Sequence, residues 1–225
     1  MMATFRTLRH LSLGLVAALG FAGAALAAPA PDQVIKTATE TIRVDIGQNA
    51  KKYQADKAAF YTMVDREIVP HFDTAYIAKV ILGAHLKKAS AEQIAQFEKA
   101  FKDMLVHGYA DKLLEYYDSV QIEVKPARIE GDGKRASVET VIQRKDGKPP
   151  IPVIFSMRQS GDAWKVWDIK AENISLVLNF RTQIDAEIKK SNIATVIERL
   201  NAGQLEVKDP DSKTGGAAVK GTASP

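Results

Sequence analysis

Ile151-Pro152-Val153-Ile154-Phe155-Ser156-Met157-Arg158-Gln159-Ser160-Gly161-Asp162-Ala163-Trp164-Lys165-Val166-Trp167-Asp168 reads as two strands joined by a tight turn. Ile151, Val153, Phe155 and Met157 recur at a period of two, so they share one face of a half-buried strand. Gly161-Asp162 supplies the turn, and Trp164, Val166 and Asp168 then oppose Lys165, Trp167 and Ile169. The same period extends upstream. Val120, Ile122 and Val124 alternate with polar residues toward a turn at Gly131-Asp132-Gly133. Ala136, Val138 and Thr140 alternate toward another turn at Asp146-Gly147. Four strands on short connections predict an antiparallel meander, and such a sheet can bury one face under helices.

On both sides of the strands the apolar spacing changes to three and four. Val34, Ile35, Ala38, Ile42 and Ile46 predict a first helix, and Phe60, Met63, Val64 and Ile68 a second. Asp56 suits the cap of the second, and Pro70 ends it by pushing the preceding residue out of the helical region. Phe72 to Leu82 predicts a third helix, closed by Gly83. Ser90-Ala91-Glu92-Gln93 has the capping-box form, and Ile94, Phe97, Phe101, Leu105, Tyr109, Leu113 and Tyr117 follow on one stripe. After the strands, Val177, Phe180, Ile184 and Ile188 mark a helix from about Ser175. Ile193, Val196, Ile197 and Leu200 mark a last one, with Gly203 at its C-cap. Helices, four strands, then helices give an α+β fold: a four-stranded curled antiparallel sheet packed on a helical layer.

The ends set the compartment. Arg6 and Arg9 precede an uncharged apolar run from Leu11 to Leu26, and Ala25-Leu26-Ala27 is small at the positions a signal peptidase reads. Residues 1–27 are therefore expected to be a secretory signal peptide, with cleavage before Ala28. Residues 28–208 form one domain, and the Asp/Pro/Ser/Lys/Gly/Ala composition of 209–225 predicts a disordered tail. The chain has no cysteine, which excludes disulfides, thiolate metal sites and a lipid anchor on an N-terminal cysteine. Both arginines leave with the signal, so 31 basic residues become 29 against 27 acidic ones. That balance does not suggest nucleic acid.

Few residues offer catalysis or a metal site. His71 stands two residues from Asp73, a conceivable acid–base pair, although a capping role for Asp73 fits as well. Asp168 and Glu172 admit a paired-carboxylate reading, but one exposed acid at a strand end is the simpler one. No H-E-x-x-H motif, nucleophile elbow or glycine-rich phosphate loop is present, and no cofactor is expected.

Several stretches together resemble the toluene-tolerance family of periplasmic phospholipid-binding proteins, the MlaC family. Pro70-His71-Phe72-Asp73, Val80-Ile81-Leu82-Gly83, and Phe97, Phe101, Leu105 and Tyr109 are similar to its helical segments. Gly161 to Asp168 resembles its "G-x-W-K-V-x-D" strand, and Glu172-Asn173-Ile174-Ser175-Leu176-Val177 with Asn179-Phe180-Arg181 resembles "E-G-V-S-L-V…N-Y-R". Asn173 replaces the usual glycine, and asparagine is the commonest substitute at positive φ. Ala84-His85-Leu86 stands where an aromatic pair is usual.

The resemblance implies an NTF2-like cone with added helices, and a deep pocket between sheet and helices that holds glycerophospholipid by its acyl chains. It also implies a periplasmic monomer. Such a carrier exchanges lipid with an outer-membrane lipoprotein complex and an inner-membrane ABC transporter through its MCE-domain subunit, which maintains outer-membrane lipid asymmetry. It is not an enzyme. The alternatives are an NTF2-like periplasmic enzyme with a small hydrophobic pocket and a chaperone with an open groove. Candidate lining residues on the helices are Val64, Ile68, Phe72, Ile77, Ile81, Phe101, Leu105 and Tyr109. Val138, Phe155, Met157 and Trp167 are candidates from the sheet, followed by Ile174, Val177 and Phe180. Ile174 matches the family's valine at the cavity mouth. Arg181 either pairs with Asp168, the favoured reading, or approaches a lipid phosphate.

Overall fold

The computed structural model describes residues 28–205 and residue 207. The expected signal peptide and the tail at 209–225 lie outside the described residues.

Local rules place the helices. α1 (Pro31–Ala55) opens on proline, whose missing N–H is one the first turn leaves unpaired anyway. α2 (Lys57–Glu67) is capped by Asp56, which accepts from the Ala59 backbone N–H at 3.0 Å. A 3₁₀ turn over Val69–His71 carries Pro70, and α3 (Thr74–Leu82) follows. α3 starts two residues later than the apolar stripe suggests, because Phe72 is extended and Asp73 is the cap, accepting from Tyr76 N–H at 3.1 Å. After a second 3₁₀ turn, Gly83–Lys87, comes α4 (Ala91–Tyr116) with both bonds of its capping box, 3.1 and 3.0 Å. α5 (Leu176–Lys190) and α6 (Ile193–Asn201) close the fold, and Gly203 takes a φ of 64° just beyond α6.

The sheet has six strands where the alternation suggests four. β1 (Val120–Val124), β2 (Arg128–Glu130), β3 (Arg135–Arg144), β4 (Ile151–Ser160), β5 (Ala163–Ala171) and β6 (Ile174–Ser175) are all antiparallel to their neighbours. Their order is β1-β3-β4-β5-β6, with β2 also on β3. The stretch read as one first strand is split at Pro126, which has no N–H to give a ladder. β1 and β2 therefore pair separately with β3, at Val124 opposite Thr140 and Arg128 opposite Ser137.

β6 exists because Glu172 and Asn173 both take positive φ, 49° and 67°, which is the pattern of a two-residue type I′ hairpin. The turn folds Ile174 back beside Ala171. Asn173→Val is expected to cost about 1–2 kcal/mol, because a β-branched residue resists this backbone region. A urea midpoint equal to that of the wild type would contradict the turn; Asn173→Gly should be neutral or better.

Buried residues fall into three clusters. One joins α3, α4, α5 and α6 through Ile81, Leu82, Phe97, Phe101, Phe180, Ile184 and Val196. A second joins α1, α2 and α4 through Ile46, Tyr53, Phe60, Met63 and Leu114. The third sets Ile35 of α1 on the inner face of the sheet, against Val138, Met157, Trp164 and Val166. α1 thus packs on the sheet with its first half and on helices with its second. The pattern is a curled antiparallel sheet under a helical layer, as the sequence implies, with the layers meeting at margins between clusters.

Candidate functional site

The inner face of the sheet is covered at one end and open at the other. Strand register sets Val138 beside Phe155 and Ala136 beside Met157, where Ile35 packs on them. At the opposite end Ile122, Ile142 and Ile151 lie side by side on β1, β3 and β4. None of the three belongs to a buried cluster. Ile142 and Ile151 are half-buried, and Ile122 is 38% exposed. The next row inward is Val124, Thr140, Val153, Ala171 and, across the hairpin, Ile174, which is 44% exposed. An antiparallel partner shares its neighbour's face, so Ile174 belongs to this open apolar end. On α4 the stripe Leu105, Tyr109, Leu113 also runs from half-buried to exposed.

A groove of about 440 Å³ lies between α3 with its following turn and α5. Ile81, Leu82, Ala84, Leu178, Arg181, Thr182 and Asp185 line it. Leu178 is 52% exposed on its lip. Asp185 pairs with Lys189 at 2.7 Å and with His85 at 2.8 Å, and these bonds, that of Lys189 foremost, hold its carboxyl below the usual carboxylate range. Gly83 takes a φ of 51°, and a Cβ there would stand 2.8 Å from Arg181 Nε. Only glycine lets the guanidinium lie against this turn.

Arg181 does not pair with Asp168. The Asp168 carboxylate, 2% exposed, accepts from the Val177 backbone N–H at 3.1 Å and so joins Ser175 in capping α5. An anionic cap beside a helix N-terminus satisfies both an orphan donor and the dipole. Arg181 is left exposed, with no carboxylate in contact among the described residues.

The other expected lining residues divide by burial. Val64, Ile81, Phe101, Val138, Met157, Val177 and Phe180 are fully buried. Ile68, Phe72, Ile77, Leu105, Tyr109 and Phe155 are half-buried and pack on the margins of all three clusters. Trp167 stands apart. A bulge between Ser156 and Met157 breaks the alternation of β5, so Val166 and Ile169 face inward while Trp167 borders a cavity on the outer face. Ile122, Ile142, Ile151 and Leu178 are not among the lining residues expected from the sequence; continuing the alternation of β3 past Thr140 reaches Ile142.

The His71 and Asp73 side chains do not pair. Asp73 caps α3 and forms an ion pair with Arg158. Burial, reinforced by Lys165 and opposed by Glu67, pushes the His71 imidazole below its ordinary value. The unfolded chain then binds the proton more readily, so stability should rise with pH through the window below about 6.5 and fall on acidification. A ring-proton NMR titration should give a midpoint under that value; a higher one would contradict the burial.

Among the described residues no group of three His, Cys, Asp or Glu is placed to hold a metal, and no helix is long and apolar enough to cross a membrane. The toluene tolerance protein of Pseudomonas putida is 32% identical over 169 residues, 74% of this chain and 77% of that one. The intermembrane phospholipid transport system binding protein MlaC of Haemophilus influenzae is 25% identical over 178 residues, 78% and 83% of the two chains. The solved phospholipid-binding protein from Ralstonia solanacearum, in complex with a phospholipid, superimposes with a TM-score of 0.70 at 22% identity. It covers 79% of this chain and 100% of its own, and it fixes the fold. Residues 36–202 match the MlaC protein family, and the chain belongs to that family.

Proposed function

We propose that this protein is a periplasmic phospholipid carrier that holds acyl chains between sheet and helices and takes them in at the open isoleucine end. The supporting observation is the row Ile122, Ile142 and Ile151, left only partly covered on the face that packs on Ile35 at its other end, with Ile174 beside it. The half-buried residues Ile68, Phe72, Ile77, Leu105, Tyr109 and Phe155 are the proposed wall. The fully buried ones form its backing.

Hydrocarbon burial supplies the affinity. At about 0.8 kcal/mol per methylene, a sixteen-carbon chain gains at most ~13 kcal/mol on leaving water. Against a bilayer the same term nearly cancels, since the chain is dry in both places. Loading and unloading therefore need docking at membrane complexes and no chemistry. In this reading those stations are an inner-membrane ABC transporter with an MCE-domain subunit and an outer-membrane lipoprotein complex, and the carrier is a monomer. A carrier rather than an enzyme also fits Asp73, whose carboxylate is taken up by a helix cap and by Arg158.

Organic extraction of the purified mature protein, followed by mass spectrometry, tests this. Near-stoichiometric glycerophospholipid is expected. Protein that stays lipid-free after incubation with phospholipid vesicles would overturn the carrier reading.

A further inference from the structure

The outer face of the sheet carries a second cavity, about 200 Å³, lined by none of the half-buried residues proposed as the acyl-chain wall. Ser137 and Ser156 stand opposite each other on β3 and β4 and line it, with Ile154. Trp167 borders it, its ring held edge-on by Tyr76 at 5.9 Å between centroids. Tyr76 in turn lies under Arg158, 4.4 Å from its ring, and Arg158 is tied to Asp73. Tyr76 thus holds the indole and is itself held by Arg158 and Asp73.

Around the rim stand Arg128, Arg135 and Lys170 with Glu130 and Glu139. Arg128 is engaged by Glu139 at 3.4 Å. Arg135 and Lys170 contact no carboxylate among the described residues, and neither serine hydroxyl nor the Trp167 N–H has a protein partner there. Five donor groups thus line one small cavity with no protein acceptor assigned to any of them.

We propose that this depression binds a phosphate group, carried by a small soluble molecule or by a lipid headgroup, independently of any acyl chain. The cavity is below the roughly 300–1,000 Å³ of sites for drug-sized ligands, so it suits a headgroup-sized anion. Phosphate offers more acceptor oxygens than a carboxylate and can satisfy hydroxyl, indole, guanidinium and ammonium donors together. Glu130 and Glu139 keep the rim from attracting every anion, so recognition rests on hydrogen-bond geometry more than on bulk charge.

The test is an NMR titration of the full mature protein with sn-glycerol 3-phosphate at constant ionic strength, reading the two indole N–H signals. Saturable movement of the Trp167 signal is expected, with that of Trp164 still. The double variant Arg135→Gln, Lys170→Gln should weaken the response about tenfold or more and leave co-purified lipid unchanged. Vesicles containing phosphatidylglycerol, compared with pure phosphatidylcholine, identify the source. Retention that depends on the two cations marks a headgroup site; glycerol phosphate binding without it marks a soluble ligand. No saturable shift, or equal shifts with sodium chloride or in the double variant, would overturn the site. A protein lacking carried lipid but showing the Trp167 response would defeat the carrier reading alone.

Discussion

Ile174→Glu is expected to give a protein that folds normally and purifies without phospholipid. Ile174 is 44% exposed, so a glutamate there keeps its hydration and costs little stability. The hairpin at Glu172 and Asn173 nevertheless sets this side chain on the inner-face row with Ala171, Val153 and Thr140. A hydrocarbon tail drawn in at this end would lie against the carboxylate. Stripping water from an unpaired carboxylate costs several kcal/mol, and each 1.4 kcal/mol is tenfold in affinity. Lipid retention should fall on the order of a hundredfold or more. The readout is the ratio of lipid to protein by mass spectrometry, beside a thermal melt close to that of the wild type. Ile174→Leu should load as the wild type does. Normal lipid content in the glutamate variant would remove Ile174 from the mouth.

What could be read in the sequence was what short-range chemistry determines. Ser90 with Gln93, Asp56 and Gly203 mark helix ends by side-chain type alone, and each sits where those rules put it. Asn173 announces its positive φ in the same way. The misses come from pairing between distant segments. Nothing local says that the chain beyond Pro126 re-pairs with β3, or that a bulge at Ser156 and Met157 turns Trp167 outward. The open end was hidden for a related reason. Ile122, Ile142 and Ile151 look like any alternating apolar positions, and only their register brings them together outside the buried clusters. Arg181 illustrates competition for one carboxylate: Asp168 serves a backbone donor at the start of α5, which proximity in sequence does not reveal.

Phe101→Ala should produce the opposite pattern, a large loss of stability with lipid retained by the molecules that still fold. Phe101 is 3% exposed, stacks on Phe97 at 5.6 Å and meets Phe180 edge-on at 5.5 Å. It therefore joins α4 to α5 within the helical cluster. Truncating a buried phenylalanine costs about 3–5 kcal/mol, from lost transfer energy and the cavity left behind. Against a total of roughly 5–15 kcal/mol that is a large share. At about 2–4 °C per kcal/mol for a domain of this size, the melting temperature should fall by roughly 6–20 °C. Phe101→Leu should lose far less, because it keeps most of the volume. A melt within about 2 °C of the wild type would show that the site collapses freely and is not part of a packed core. If lipid per folded molecule fell in step with stability, Phe101 would belong to the wall itself. With lipid held and stability lost, the load would rest on the half-buried margin and the isoleucine end, while the aromatic cluster keeps the helical layer rigid behind them.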